Sequence, residues 1–111
     1  MDEHEMLRQG DLISVNFSPS KGHEQQKQRP AVVISNNFYN SKTWMKKLLP
    51  VTSTISGFPM HYLLPDKLPV KGEVMLEQEK CLDLSQRPFK VIGRLPKDTL
   101  DEILALVHDT Y

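Results

Sequence analysis

The side chains best suited to moving protons in this chain are four histidines, His4, His23, His61 and His108, and one thiol, Cys81. No two of the histidines have metal-ligand spacing, and a lone cysteine completes neither a thiolate zinc site nor an internal disulfide. There is no glycine-rich phosphate loop and no Gly-x-Ser-x-Gly elbow. Cys81 follows Lys80, whose charge favours the thiolate slightly, but no histidine is identifiable as its partner, so it reads as a structural cysteine. What remains is the polar stretch Pro19-Ser-Lys-Gly-His-Glu-Gln-Gln-Lys-Gln-Arg-Pro30. It brings an imidazole (His23), a carboxylate (Glu24) and a guanidinium (Arg29) into one loop. Long loops of this kind between strands of a compact domain are uncommon and are often functional. A solvated surface loop has the same composition, so the loop alone does not decide.

The elements flanking that loop read as strands. Ile13, Val15 and Phe17 alternate with Ser14 and Asn16, the period of a half-buried strand. After the loop, Pro30 opens the β-branched run Ala31-Val-Val-Ile-Ser35, a buried strand with proline at its start. Asn36-Asn-Phe-Tyr-Asn-Ser-Lys42 has turn chemistry. Residues 44–51 form a strand candidate interrupted by Pro50, and short strands follow at 61–64, 72–76 and around Phe89, Val91 and Ile92 before Gly93. Six or so short strands separated by turns describe a small barrel or two packed sheets. The tail differs: Leu100, Ile103, Leu104 and Val107 lie at i, i+3, i+4 and i+7, one helical stripe, with Pro96 suited to the first turn.

With 111 residues, 39% apolar and 25% charged, the chain fits one domain spanning residues 1–111, with no repeat or linker. No apolar run approaches the ~20 residues of a membrane span, and the acidic start Met1-Asp-Glu-His-Glu lacks the order of a secretory signal. A single cysteine suits a reducing compartment, so a cytoplasmic protein is expected. Fourteen Lys and Arg balance fourteen Asp and Glu, yet the charge is uneven. Residues 21–47 carry six basic side chains against one acid, whereas residues 98–109 carry four acids and no Lys or Arg. A local basic surface of that kind can hold a polyanion despite zero net charge.

Read in order, Gly10-Asp11, Val15-Asn-Phe-Ser-Pro19, Lys21-Gly-His-Glu-Gln25 and Arg29-Pro-Ala-Val-Val-Ile-Ser35 resemble the MazF/PemK family of toxin endoribonucleases. The likeness continues through Tyr39-Asn-Ser-Lys-Thr43, Pro50-Val-Thr-Ser53, Gly57-Phe-Pro59, the stretch from Gly72 to Gln78, and Asp83 and Arg87. The resemblance implies a mainly β fold, an SH3-like small barrel with a C-terminal helix, and a homodimer. It implies sequence-specific cleavage of single-stranded RNA, mRNA included, with no metal or other cofactor, and no membrane association. It also implies a cognate antitoxin of the MazE/PemI kind whose extended C-terminal segment occupies the RNA site. Two alternatives accompany this reading: a CcdB-like toxin that cuts no RNA, and an SH3-like binding module. Neither would need the blocks at 21–25 and 29–30.

By the same resemblance, Arg29 and Thr52 match the family's catalytic arginine and threonine. A guanidinium meets two phosphate oxygens with its planar fork, and a hydroxyl can donate to a third or relay a proton. His23 and Glu24 are candidates for the base, Glu24 also for orienting Arg29. Some relatives pair the loop histidine with an Arg-x-Asp before the glutamine; here those places hold Met75 and Glu77, which favours the Arg–Thr scheme. Asn16 and Ser18 stand where relatives often carry Asp. Asn16, Phe17, Lys21, Gln25, Ser53 and Gln78 are expected to contact RNA, Phe17 by stacking on a base. Lys21, Lys27, Lys42, Lys46 and Lys47 are expected to attract the phosphate backbone. Trp44, Met45 and Leu48 suit a core or an interface.

Overall fold

The structure, a computed structural model, describes residues 7–17 and 28–111. In chain order its elements are β1 (Asp11–Asn16), β2 (Gln28–Val33), α1 (Asn37–Lys42), β3 (Met45–Thr52), β4 (His61–Leu63), β5 (Glu73–Met75), β6 (Lys80–Asp83), β7 (Phe89–Arg94) and α2 (Lys97–His108). A turn of 3-10 helix, Leu76–Gln78, follows β5. The strands form one seven-stranded sheet in the order β4-β5-β3-β2-β1-β7, with β6 added to β3. Every ladder is antiparallel.

Alternation along the strands sends successive residues to opposite faces, and each face has its own core. Leu12, Val32, Leu49, Val51 and Val74 belong to one cluster, which α2 covers with Ile103 and with the half-buried Leu100, Leu104 and Val107. Ile13, Val15, Ala31, Val33 and Leu48 belong to the other, closed by Leu7, Leu84, Trp44 and Phe89. The helical stripe read from the tail is therefore the face that packs, and α2 begins one residue after Pro96, which serves as its N-cap.

Strand β3 is the hub. Its first half pairs with β6, residues Leu48, Leu49 and Pro50 pair with β2, and Val51 and Thr52 pair with β5. Pro50 does not interrupt it. Proline has no N–H to give, and Ala31–Pro50 is the last pair of the β2–β3 ladder, where a missing donor costs least.

Four expectations from the sequence change. The mainly β fold with a C-terminal helix stands, and the change is one of detail: the small barrel is not closed, because β4 and β7 end the sheet order without pairing to each other. The turn-like stretch after Ser35 folds into α1, since Asn36 acts as N-cap and its side chain accepts from the Tyr39 amide at 2.9 Å. An additional strand, β6, lies in a segment whose charged residues hide the alternation. Gly93 lies inside β7 instead of ending it, opposite Leu12 at a register shift in β1.

Candidate active site

Arg29 is the second residue of β2, exposed, and opposite Val15 of β1. Thr52 is the last residue of β3, half-buried, and opposite Glu73 of β5. The β2–β3 ladder runs from Val33–Leu48 to Ala31–Pro50. Arg29 and Thr52 each lie two residues beyond that final pair, so a period of two puts them on the same face. They flank the point where β2 continues with β1 and β3 continues with β5. A cation and a hydroxyl so placed can address one anionic group from two strands.

The Thr52 hydroxyl oxygen accepts from the Thr54 amide at 3.2 Å. With that lone pair engaged, its own proton is left to donate elsewhere. The Thr52 backbone is held from below by Gly72, whose φ of +130° and close approach leave no room for a side chain.

Next to Thr52 in the ladder lies a buried carboxylate that the sequence reading overlooked. Glu73 is 3% exposed, and its oxygens accept from the Gly57 amide at 2.9 Å, the Ser56 amide at 3.1 Å, the Ser56 hydroxyl at 3.1 Å and His61 Nδ1 at 2.8 Å. The other imidazole nitrogen, Nε2, lies 3.1 Å from Glu77. The hydrogen bond from the Gly57 amide and that from His61 pull the Glu73 carboxyl down to about 2, because both favour its charged form. The same bond to Glu73 raises the His61 imidazole above its ordinary value, with Glu77 adding to it. Phe58 meets the His61 ring edge-on at 5.1 Å. These residues are 12 and 16 apart in sequence and meet only because β4 pairs with β5.

The remaining candidates are distributed as follows. Ser53 and Gln78 are exposed, the latter at the end of the 3-10 turn. Phe17 is half-buried against the second core cluster. Asn16 is buried, and its carbonyl accepts from Arg87 at 2.8 Å. Lys21, His23, Glu24 and Gln25, with Ser18 and Lys27, lie outside the described residues. Lys42 and Lys47 are exposed, their ammonium groups over the rings of Phe38 and Tyr39.

Lys46 corrects an expectation. It is fully buried, so it adds nothing to a basic surface; its ammonium donates to the carbonyls of Asn40 and Thr43 at the end of α1. Burial lowers its pKa. Cys81 is exposed on β6, its sulfur 3.7 Å from the Tyr39 hydroxyl, and not part of either core. Leu48 is core, whereas Trp44 and Met45 are half-buried, Trp44 edge-on to Phe89 at 6.4 Å. Among the described residues, no three His, Cys, Asp or Glu side chains are arranged to hold a metal ion, and no helix is long and apolar enough to cross a membrane.

The chain is thus an antiparallel sheet with a C-terminal helix on one face and with Arg29 and Thr52 where two strands part. A family model described as PemK-like, MazF-like toxin of type II toxin-antitoxin system matches residues 8–110, and the chain belongs to that family. It is 35% identical over 99 residues to the endoribonuclease toxin MazF of Escherichia coli (strain K12), covering 89% of this chain and 88% of that protein. It superposes on the crystal structure of MazF from Deinococcus radiodurans with a TM-score of 0.80 at 35% identity, covering 94% of each chain. A MazE-MazF structure from the same organism gives 0.82 at 35% identity, again covering 94% of each chain.

Proposed function

We propose that this toxin is a cytoplasmic endoribonuclease that cleaves single-stranded RNA, mRNA included, at particular sequences, with Arg29 and Thr52 as its catalytic pair. The observation that supports the pairing is their common face two residues past the last β2–β3 pair. The reaction uses the substrate's own 2′-hydroxyl, the group that separates RNA from DNA. The 2′-oxygen attacks phosphorus and loses its proton to a base; the bond to the 5′-oxygen breaks and that oxygen takes up a proton. The products are a 2′,3′-cyclic phosphate and a 5′-hydroxyl, and no bound metal is required to make the nucleophile. Arg29 meets the negative charge that builds on the non-bridging oxygens, and Thr52 donates its proton to one of them. His23 and Glu24 are the candidates for the base. Asn16, Phe17, Ser53, Gln78, Lys21 and Gln25 are the remaining candidates for RNA contact.

The active form is a homodimer, and its partner is a cognate antitoxin of the MazE/PemI kind whose extended segment lies over the RNA site. Likeness to the MazF chain of a MazE-MazF structure supports this. The test is direct. Purified protein, incubated with mixed-sequence RNA in EDTA, yields fragments with 2′,3′-cyclic phosphate ends. Arg29→Ala slows that cleavage by roughly 10²–10³-fold, the usual cost of removing one preorganised donor, while the folded dimer and its affinity for antitoxin survive. A folded wild-type dimer that cuts no RNA across diverse sequences overturns the reading.

A further inference from the structure

We propose that Glu73, assisted by His61, is a positioning residue for RNA cleavage: its buried carboxylate latches the segment following β3 and so holds the Thr52 hydroxyl at the reacting phosphate. This rests on the assignment of Thr52 made above.

A carboxylate taken out of water is unfavourable unless its lone pairs are filled, so a glutamate at 3% exposure in a small domain requires an account. Neither core cluster includes it. Its partners are all in one place. Three of its four hydrogen bonds come from Ser56 and Gly57, and the fourth from His61. The segment 53–60 is thereby tied at both ends. At the start, the Thr54 amide donates to the Thr52 hydroxyl. In the middle, Ser56 and Gly57 donate to Glu73, Gly57 turning the chain with φ +71°. At the far end, the Phe58 amide donates to the Ser56 hydroxyl at 3.2 Å and the His61 amide to the Phe58 carbonyl at 2.9 Å.

The latch lies beside the threonine. Glu73 is the cross-strand partner of Thr52 on β3 and of Leu63 on β4, so it occupies the middle of a three-strand row with Thr52 at one end. Release of Ser56 and Gly57 frees the chain that carries Thr54, and Thr54 fixes the rotation of the Thr52 hydroxyl. A hydroxyl that must donate in one direction is sensitive to that rotation, since a small misplacement of a reacting group costs about 10²-fold.

His61 completes the device. Both ring nitrogens face carboxylates, Glu73 on β5 and Glu77 on the 3-10 turn. Only the imidazolium can donate to both at once; the neutral ring has one N–H. The latch is therefore tightest when His61 is protonated.

Three proteins test this with an RNA oligonucleotide that the wild type cuts: wild type, Glu73→Gln and His61→Gln. Glutamine keeps the size of Glu73 but removes its charge and puts an N–H₂ in place of one of the two accepting oxygens, so the donors of Ser56, Gly57 and His61 can no longer all be met. The expected result is a fall in kcat of about 10–100-fold for Glu73→Gln, with KM changed less than about threefold. Amide exchange at Ser56 and Gly57 accelerates in that variant while the β1–β2 amides stay protected. For His61→Gln, the ratio of wild-type to variant kcat is largest below the raised His61 pKa and falls toward unity above it. Should Glu73→Gln not fold, the His61→Gln ratio and its Ser56 and Gly57 exchange decide alone. Unchanged kcat in a folded variant, or unchanged exchange at Ser56 and Gly57, overturns the latch. If wild type cuts RNA, Arg29→Ala does not, and Glu73→Gln matches wild type, the latch falls and the nuclease stands. If wild type cuts nothing, both fall.

Discussion

Thr52 and Gly72 touch backbone to backbone: a Cβ on Gly72 would stand 2.0 Å from the Thr52 carbonyl oxygen and 2.9 Å from its carbonyl carbon. Gly72→Ala must therefore displace β3 from β5 at the candidate catalytic residue, and it must also adopt φ +130°, which an L side chain resists. The expected loss of stability is about 1–3 kcal/mol, read from urea unfolding, with RNA cleavage falling further than stability alone explains.

Thr52 itself separates shape from chemistry. Thr52→Val keeps the β-branched outline but removes the hydroxyl, which is expected to slow cleavage about 10²-fold while RNA affinity stays within a few-fold. Thr52→Ser keeps the proton donor and retains most of the activity. Single-turnover cleavage beside equilibrium binding distinguishes the two.

Stability should respond to pH from both sides of the Glu73–His61 pair. Glu73 has its pKa lowered from 4.5 to about 2, so its contribution is complete above 4.5 and is lost as pH falls toward 2. His61 has its pKa raised from 6.5, so its contribution is complete below 6.5 and is lost as pH rises through the folded value. The difference in Tm between wild type and His61→Gln is thus expected to be widest between pH 4.5 and 6.5 and to shrink on the alkaline side. Melting curves across that range check it.

Lys46 predicts a purely structural loss. Lys46→Met preserves the apolar stem and removes the ammonium that caps the carbonyls of Asn40 and Thr43. One buried acceptor, the Asn40 carbonyl, and one half-buried acceptor, that of Thr43, lose their donor, which is expected to cost about 1–3 kcal/mol. RNA affinity and its salt dependence should not change, because the ammonium never faced solvent.

Much of the scaffold was legible in the sequence because its signals are local. The alternation of β1 and the stripe of α2 each depend on spacing within one element, and the structure keeps both. The strand read from Ala31 to Ser35 with Pro30 at its start is instead Gln28–Val33, so Arg29 and Pro30 lie within it and Ile34 and Ser35 beyond it. Residues 36–42 misled because an asparagine that favours a turn also caps a helix, and only the continuation decides between them. Lys46 misled because charge predicts exposure unless a carbonyl-rich helix end lies within reach of a long side chain. The Glu73 cradle was invisible for a different reason. Its members come from β4, β5 and the segment between β3 and β4, and no spacing rule connects residues that strand pairing alone brings together.

The triple attachment of β3 bears on how such a protein can be silenced. A strand joined to β2, β5 and β6 cannot be loosened at one end without disturbing both hydrophobic cores. A regulator that tried to inactivate the threonine by deforming its strand would work against the folding free energy of the whole domain. Occlusion is the economical route: an inhibitor need only cover the mouth where β2 and β3 part, leave the architecture intact, and restore full potency when it departs.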